Sequence, residues 1–383
     1  MKKKIFLISS NRADYDQLFW LYKELSKVKV FRVFFLFVNL SNKKNKTKNY
    51  FKLEKDQIKN KLHLNVEING DKAQNVSDLI GLLIIRFTKK FTKLKPDLVI
   101  ILGDRFEILS AAITASILQI PIAHLNGGEV THGAYDDWIR HSISKMANLH
   151  FVANKIYAKR LMQLGENNNS IFQVGGLCMD NILKTKVLKK NEIENELRIN
   201  FQKKNLLVTY HPETLEKKTV LHFKQLLNAL NQLKDTMIIF TSPNIDTNNQ
   251  SLINLIKEFI KKNKNSRLYL SLGRKRYFSI VKYCDMVIGN SSSGYLEIPY
   301  LKKITINVGD RQIGRLCEKS IINVKPIKYE ILRAIKKGYN ILSNIKSLKV
   351  NFFYGKGNTA IKISKILKKH TFNFNFKKKF IDL

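Results

Sequence analysis

The chain is 383 residues long and 44% hydrophobic, with 68 Lys and Arg against 30 Asp and Glu, a formal net charge of +38. That length exceeds what one hydrophobic core usually serves, so two domains are expected, and no uncharged apolar run approaches the roughly 18 residues that a membrane span requires. The charge invites a polyanion, but the excess is mostly Lys spread along the whole chain, without zinc-finger spacing, a basic zipper or RNP-type aromatics, so nucleic acid is not an expected partner.

In chain order, the first apolar run is KIFLIS, residues 4–9. Lysines precede it, as in a signal peptide, but it is too short for a signal h-region, and Arg12 and Asp14 follow at once. It reads as a first strand. RVFFLFV (32–38), LHLNVEI (62–68), DLVIIL (97–102), IPIAHL (120–125) and LHFVAN (149–154) read as further strands. SDLIGLLIIRFTKKFTKL (77–94) and RFEILSAAITASILQ (105–119) space their apolar residues as helices do. The second half repeats the theme, with strands at NLLVTY (205–210), TMIIFTS (236–242), SRLYLSL (266–272), DMVIGN (285–290) and KITINV (303–308). TVLHFKQLLNALNQL (219–233) and SLINLIKEFIKKNK (251–264) are the helices between them. Strands apolar on both faces and separated by helices form parallel, doubly wound sheets. The expected fold is therefore α/β: two Rossmann-type domains, 1–180 and 181–365, facing a central cleft, then a basic tail at 366–383.

Polar motifs follow the strands, where open α/β sheets bind ligands. Arg12 follows the first strand, ahead of a helix expected to start near Tyr15; an Arg beside a helix N-terminus is an anion site. Asp104, in GDRFE, is either functional or a helix cap. HLNGGE turns the backbone sharply at Gly127 and Gly128 and brings Glu129 to the mouth of the cleft. Asp136 and Arg140, like Asp137 and His141, stand four apart on the next helix, so each acid has a basic partner within reach. Paired carboxylates in a cleft can divide acid and base roles. In the second half, His211 opens HPET, an imidazole suited to a phosphate. GNSSSGYLE offers Ser292, Ser293 and backbone N–H groups to a diphosphate, and Glu297 to ribose hydroxyls. Arg311 and Arg315, in GDRQIGR, suit bidentate phosphate contacts. No zinc spacing occurs, so no metal is expected. The three scattered cysteines, Cys178, Cys284 and Cys317, fit a reducing cytosol. These features describe a two-domain cleft enzyme acting on a sugar nucleotide.

Taken together and in order, SSNRADYD, GDRFE, HLNGGE with AYDDWIRHSISKM, HPET, GNSSSG, INVGDRQIGR and YGKGN resemble the hydrolysing UDP-N-acetylglucosamine 2-epimerases of sialic acid biosynthesis. The related UDP-N,N'-diacetylbacillosamine 2-epimerases of legionaminic acid synthesis share the pattern. The resemblance implies a GT-B-like fold whose C-terminal helix crosses back. It implies UDP-N-acetylglucosamine as substrate, giving N-acetylmannosamine and UDP, with the diacetylbacillosamine sugar nucleotide as the alternative. It implies a glycal-type intermediate, with neither metal nor cofactor required. Asp104, Glu129 and Asp136 correspond to the family's catalytic carboxylates. Arg12, His211, Ser292, Ser293, Glu297 and Arg311 fall at UDP-binding positions, with Arg315 a looser match; Lys356 stands where relatives are expected to carry an acid. The expected state is a cytoplasmic homo-oligomer, dimer or tetramer, without membrane insertion. The rival readings are a retaining glycosyltransferase of the same fold and a nucleotide- or nucleic-acid-binding protein without turnover.

Overall fold

The computed structural model describes residues 2–42, 58–68, 70, 72–243 and 249–382. The chain divides into two compact units. The first comprises Met1–Glu129, Asp136–Leu183 and Phe353–Leu383; the second comprises Val130–Tyr135 and Lys184–Phe352.

The first unit runs β1 (Lys3–Ser9), α1 (Arg12–Ser26), β2 (Phe31–Asn42), β3 (Lys61–Ile68), α2 (Ala73–Leu94), β4 (Leu98–Leu102), α3 (Phe106–Ile117), β5 (Ile122–Leu125), α4 (Asp136–Met146), β6 (Leu149–Val152), α5 (Lys155–Gln163), β7 (Ile171–Gln173) and α6 (Leu177–Lys184). Among the described residues its sheet has seven strands in the order β3-β2-β1-β4-β5-β6-β7, every pair parallel. All five residues of β4 and all four of β5 are buried. Helices cover both faces, so the strands are continuously apolar instead of alternating. In α2 the buried residues are Leu79, Leu83, Phe87 and Phe91, a stripe with a spacing of four. Each such side chain contributes about 1.5–3 kcal/mol when withdrawn from water.

The second unit runs α7 (Lys190–Leu197), β8 (Lys204–Thr209), α8 (Thr219–Leu230), β9 (Thr236–Thr241), α9 (Asn249–Lys262), β10 (Ser266–Tyr269), α10 (Gly273–Tyr283), β11 (Met286–Gly289), α11 (Ser293–Leu296), β12 (Ile304–Val308), β13 (Ile321–Val324) and α12 (Lys328–Leu342). Its parallel sheet has the order β10-β9-β8-β11-β12-β13. A final helix, α13 (Thr359–Lys369), belongs to the first unit, packs on α1, and adds Ala360, Ile363 and Leu367 to that core.

Every strand expected from the sequence is present. Two were not anticipated: β7 and β13 lie at sheet edges, are three and four residues long, and are only partly buried, so they carry little apolar signal. Helix α1 begins at Arg12, not near Tyr15, because the Asn11 side chain caps it by accepting from the Asp14 amide at 3.0 Å. The basic tail packs on the first unit. Phe372 and Phe374 join its core, and Lys378 Nζ donates to the carbonyls of Lys145 at 2.9 Å and Ala147 at 2.7 Å. The strand order of both sheets reverses beside the first strand, between β1 and β4 and between β8 and β11. At such switch points the two loops at the strand C-termini part and leave a crevice for ligand.

Candidate functional site

In the first unit, the turns after β1, β4 and β5 and the start of α4 carry the acids. Asp104 does not cap α3: Arg105 holds the cap position, with no side-chain cap bond. The Asp104 carboxylate turns instead to Arg140, whose Nε and Nη2 both donate to Oδ2, the former at 2.9 Å. Arg140 Nη1 donates to the Glu129 carbonyl at 2.9 Å and to Asp137 Oδ1 at 3.1 Å. Arg140 thus bonds Asp104, the Glu129 main chain and Asp137. Helix α4 packs against β5 and α3, which brings the turns carrying Asp104 and Glu129 within hydrogen-bond reach of the guanidinium. The expected helix pair of Asp137 and His141 holds, with His141 Nε2 at 3.7 Å from Asp137 Oδ2. Asp136 is the first residue of α4, where a carboxylate complements the positive end of the helix.

The turn that presents Glu129 needs glycine. Gly128 has φ +75°, and a Cβ there would meet the backbone of Tyr157. Below the turn lies His124, which sequence reading left without a role. Burial pushes its imidazole down to about 3, so it is neutral. Its Nε2–H donates to the Gly103 carbonyl at 2.8 Å and its Nδ1 accepts from Ser144 Oγ at 3.0 Å, fixing the turn before Asp104. A histidine inside an otherwise apolar buried strand was the available signal. Nearby, Asp14 accepts from the Ser10 hydroxyl at 2.7 Å, and burial pushes its carboxyl up to about 6. Arg12, in the first turn of α1, pairs with Asp16 at 3.4 Å and lies over the Tyr15 ring.

In the second unit, the organiser is Asn290, directly after β11 and fully buried. Its Oδ1 accepts from the His211 amide at 2.7 Å and its Nδ2 donates to the His211 carbonyl at 2.9 Å. Its own carbonyl accepts from Gln312 Nε2 at 2.9 Å and from Arg311 Nη1 at 3.3 Å, while Arg315 Nε donates to Gln312 Oε1 at 2.7 Å. One asparagine therefore joins the loops after β8, β11 and β12. Gly289 makes this possible: with φ +136°, a Cβ would lie against the Thr209 carbonyl. Glu213 adds a second tie, accepting from Tyr210 Oη at 3.1 Å, His222 Nδ1 at 2.9 Å and the Asp310 amide at 3.3 Å. Neither residue was singled out from the sequence. Ser292 is the cap residue of α11, and Ser293 Oγ, 2.7 Å from Tyr277 Oη, donates to Glu297. Glu297 closes that helix, which has only four residues, so α11 supplies less dipole than a long helix would.

His211, Ser292, Ser293, Glu297, Arg311 and Arg315 thus share the second unit, whereas Arg12 belongs to the unit of the acids. The six residues between Glu129 and Asp136 belong to the second unit: the His132 amide donates to the Ile313 carbonyl at 2.9 Å and that of Tyr135 to Thr214 Oγ1 at 3.2 Å. Among the described residues no cluster of three or more His, Cys, Asp and Glu side chains suits a metal, and no helix is long and apolar enough to cross a membrane.

Two parallel, doubly wound units with charged and hydroxyl-bearing loops at their strand ends define a GT-B-like α/β protein. Comparison with known proteins narrows the class. A family model described as UDP-N-acetylglucosamine 2-epimerase matches residues 47–368. The chain is 39% identical over 325 residues to the hydrolysing GDP/UDP-N,N'-diacetylbacillosamine 2-epimerase of Campylobacter jejuni, with 84% of each chain covered. It is 37% identical over 309 residues to polysialic acid biosynthesis protein P7 of Escherichia coli, covering 80% of this chain and 78% of that one. The UDP-GlcNAc 2-epimerase of Methanocaldococcus jannaschii, solved with UDP-GlcNAc and UDP, shares the fold with a TM-score of 0.77 at 20% identity, over 96% of this chain and 100% of that one. The chain belongs to the UDP-N-acetylglucosamine 2-epimerase family, and it is an enzyme of the hydrolysing UDP-sugar 2-epimerase type.

Proposed function

We infer that the protein expels UDP from a UDP-linked 2-acetamido sugar and releases the free sugar with C2 inverted. Asp104, Glu129 and Asp136 handle the protons at C2 and the water at C1. Arg12, His211, Ser292, Ser293, Glu297, Arg311 and Arg315 hold UDP and neutralise it as it leaves. In the first half-reaction the C2 proton goes to a carboxylate, the C–H electron pair becomes the C1–C2 double bond, and the C1–O bond breaks with its pair on UDP. In the second, water adds its oxygen to C1 and C2 takes a proton on the opposite face. The observation that carries this reading is the gathering of Asp104, Glu129 and Asp137 around one buried guanidinium, in a chain whose second unit ties its histidine, serine and arginine loops to a single asparagine.

The name of the C. jejuni relative supports UDP-N,N'-diacetylbacillosamine as the substrate; the family description and the E. coli relative support UDP-N-acetylglucosamine as the second reading. Mass spectrometry of the products from each sugar nucleotide, in D₂O and in ¹⁸O-water, tests both. Deuterium at C2 together with ¹⁸O at C1 is expected, with the larger kcat/KM on the diacetylbacillosamine nucleotide. Oxygen label without deuterium means plain hydrolysis, and intact substrate means a transferase or a binding protein. A cytoplasmic setting fits three cysteines scattered along the chain without paired spacing. Self-association, as dimer or tetramer, is supported by Leu82 and Ile85 on α2, Ile117 on α3 and Trp138 on α4, all solvent-exposed in the single chain on helices that pack side by side. Sedimentation at equilibrium checks it.

A further inference from the structure

We propose that Arg140 is a positioning residue of the reaction: it holds Asp104 ionised and aimed, as the base that takes the C2 proton, and locks it to the Glu129 turn. The proposal rests on the reading above, in which these acids act on the sugar. The Arg140 side chain is 1% exposed. A buried guanidinium is stable only when its donors are met, and here Nε and Nη2 donate to Asp104 Oδ2 and Nη1 to the Glu129 carbonyl and Asp137 Oδ1.

Three consequences follow from that geometry. First, a carboxylate against a buried cation favours its charged form, so Asp104 enters each turnover able to accept a proton. It takes the proton from C2, the C–H pair forms the C1–C2 double bond, and the C1–O pair departs with UDP. Second, both bonds to Asp104 fall on one oxygen, so the carboxylate is held in a single orientation. Third, the same guanidinium binds the backbone of Glu129, so the turns after β4 and β5 share one anchor. Lys cannot replace this, because an ammonium lacks the planar fork that reaches three acceptors in different directions. The role proposed for Arg140 is exerted through Asp104.

The test uses the full chain as Arg140→Ala and Arg140→Lys, with turnover of UDP-N,N'-diacetylbacillosamine and UDP-N-acetylglucosamine, UDP affinity by calorimetry, and guanidinium chloride added at non-denaturing concentration. For Arg140→Ala, kcat should fall about 100-fold or more, UDP affinity should stay within about twofold, and guanidinium should restore at least about tenfold of the rate. Arg140→Lys should fall nearly as far, with a larger primary isotope effect on C2-deuterated substrate than the unsubstituted enzyme shows. A rate within about threefold of the unsubstituted enzyme, or a loss that guanidinium does not relieve while UDP still binds, overturns the proposal. If Arg140→Ala does not fold, the Lys variant decides: an unchanged isotope effect overturns the proposal and an enlarged one supports it. An unsubstituted enzyme that incorporates no deuterium at C2 refutes the functional reading itself, whereas an active one with an indifferent Arg140 variant refutes only the positioning role.

Discussion

Replacing Asn290 with Ala tests how the second unit builds its ligand loops. The side chain accepts from the His211 amide at 2.7 Å and donates to the His211 carbonyl at 2.9 Å, and the residue is fully buried. Ala removes both bonds and leaves a buried N–H and a buried C=O without those partners. Each orphaned group costs about 1–3 kcal/mol, so the unit should lose roughly 2–6 kcal/mol of stability, read from urea denaturation. The bonds from Gln312 and Arg311 go to the Asn290 main chain and survive the substitution. The loss should therefore fall on the His211 contact alone. UDP affinity by calorimetry should weaken about tenfold, equivalent to about 1.4 kcal/mol, and less than in Arg311→Ala. Asn290→Asp keeps the acceptor and replaces the donor with an oxygen facing a carbonyl, so it should be no milder than Ala. A destabilised protein with unchanged UDP affinity would refute the idea that this asparagine sets the ligand loop, and an undisturbed stability would refute the hydrogen-bond accounting.

Asp104→Asn and Glu129→Gln should each lower kcat about 10²–10⁴-fold while UDP affinity stays near that of the unsubstituted enzyme; steady-state kinetics with parallel UDP titration checks both. Arg311→Ala and His211→Ala should weaken UDP by about 1.5–3 kcal/mol, the range for a charge-assisted hydrogen bond, measured by the same calorimetry. Glu166 gives a pH prediction. Burial alone would raise its carboxyl, but bonds from His150, Lys145 and Lys378 outweigh that and hold it at about 2, below the ordinary 4.5. The folded-state value lies below the unfolded one, so its contribution is complete above about pH 4.5 and is lost as pH falls toward 2. Glu166→Gln should therefore cost on the order of 3 kcal/mol at pH 7, and urea denaturation should show that deficit shrinking between pH 4.5 and pH 3.

Much of this molecule was legible as sequence because its signals are local. Continuous apolar runs such as DLVIIL become strands buried on both faces, whichever neighbours they later acquire. Polar motifs directly after those runs stand at strand C-termini by chain connectivity alone, which is why the placement of Asp104, Glu129, His211 and Ser292 after their strands could be read in advance. Three matters were decided by tertiary structure. Edge strands β7 and β13 are too short and too exposed to carry a periodic signal, and they exist because a neighbouring strand offers its hydrogen bonds. The basic tail carries no readable motif, and only the fold gives Phe372 and Phe374 a core and Lys378 three acceptors contributed by residues more than 200 positions earlier. Helix spacing paired Arg140 with Asp136 because residues four apart are neighbours on an isolated helix. The folded chain also brings Asp104 and the Glu129 carbonyl, from the turns after β4 and β5, to the same guanidinium, because once α4 is buried its donors must be satisfied in several directions.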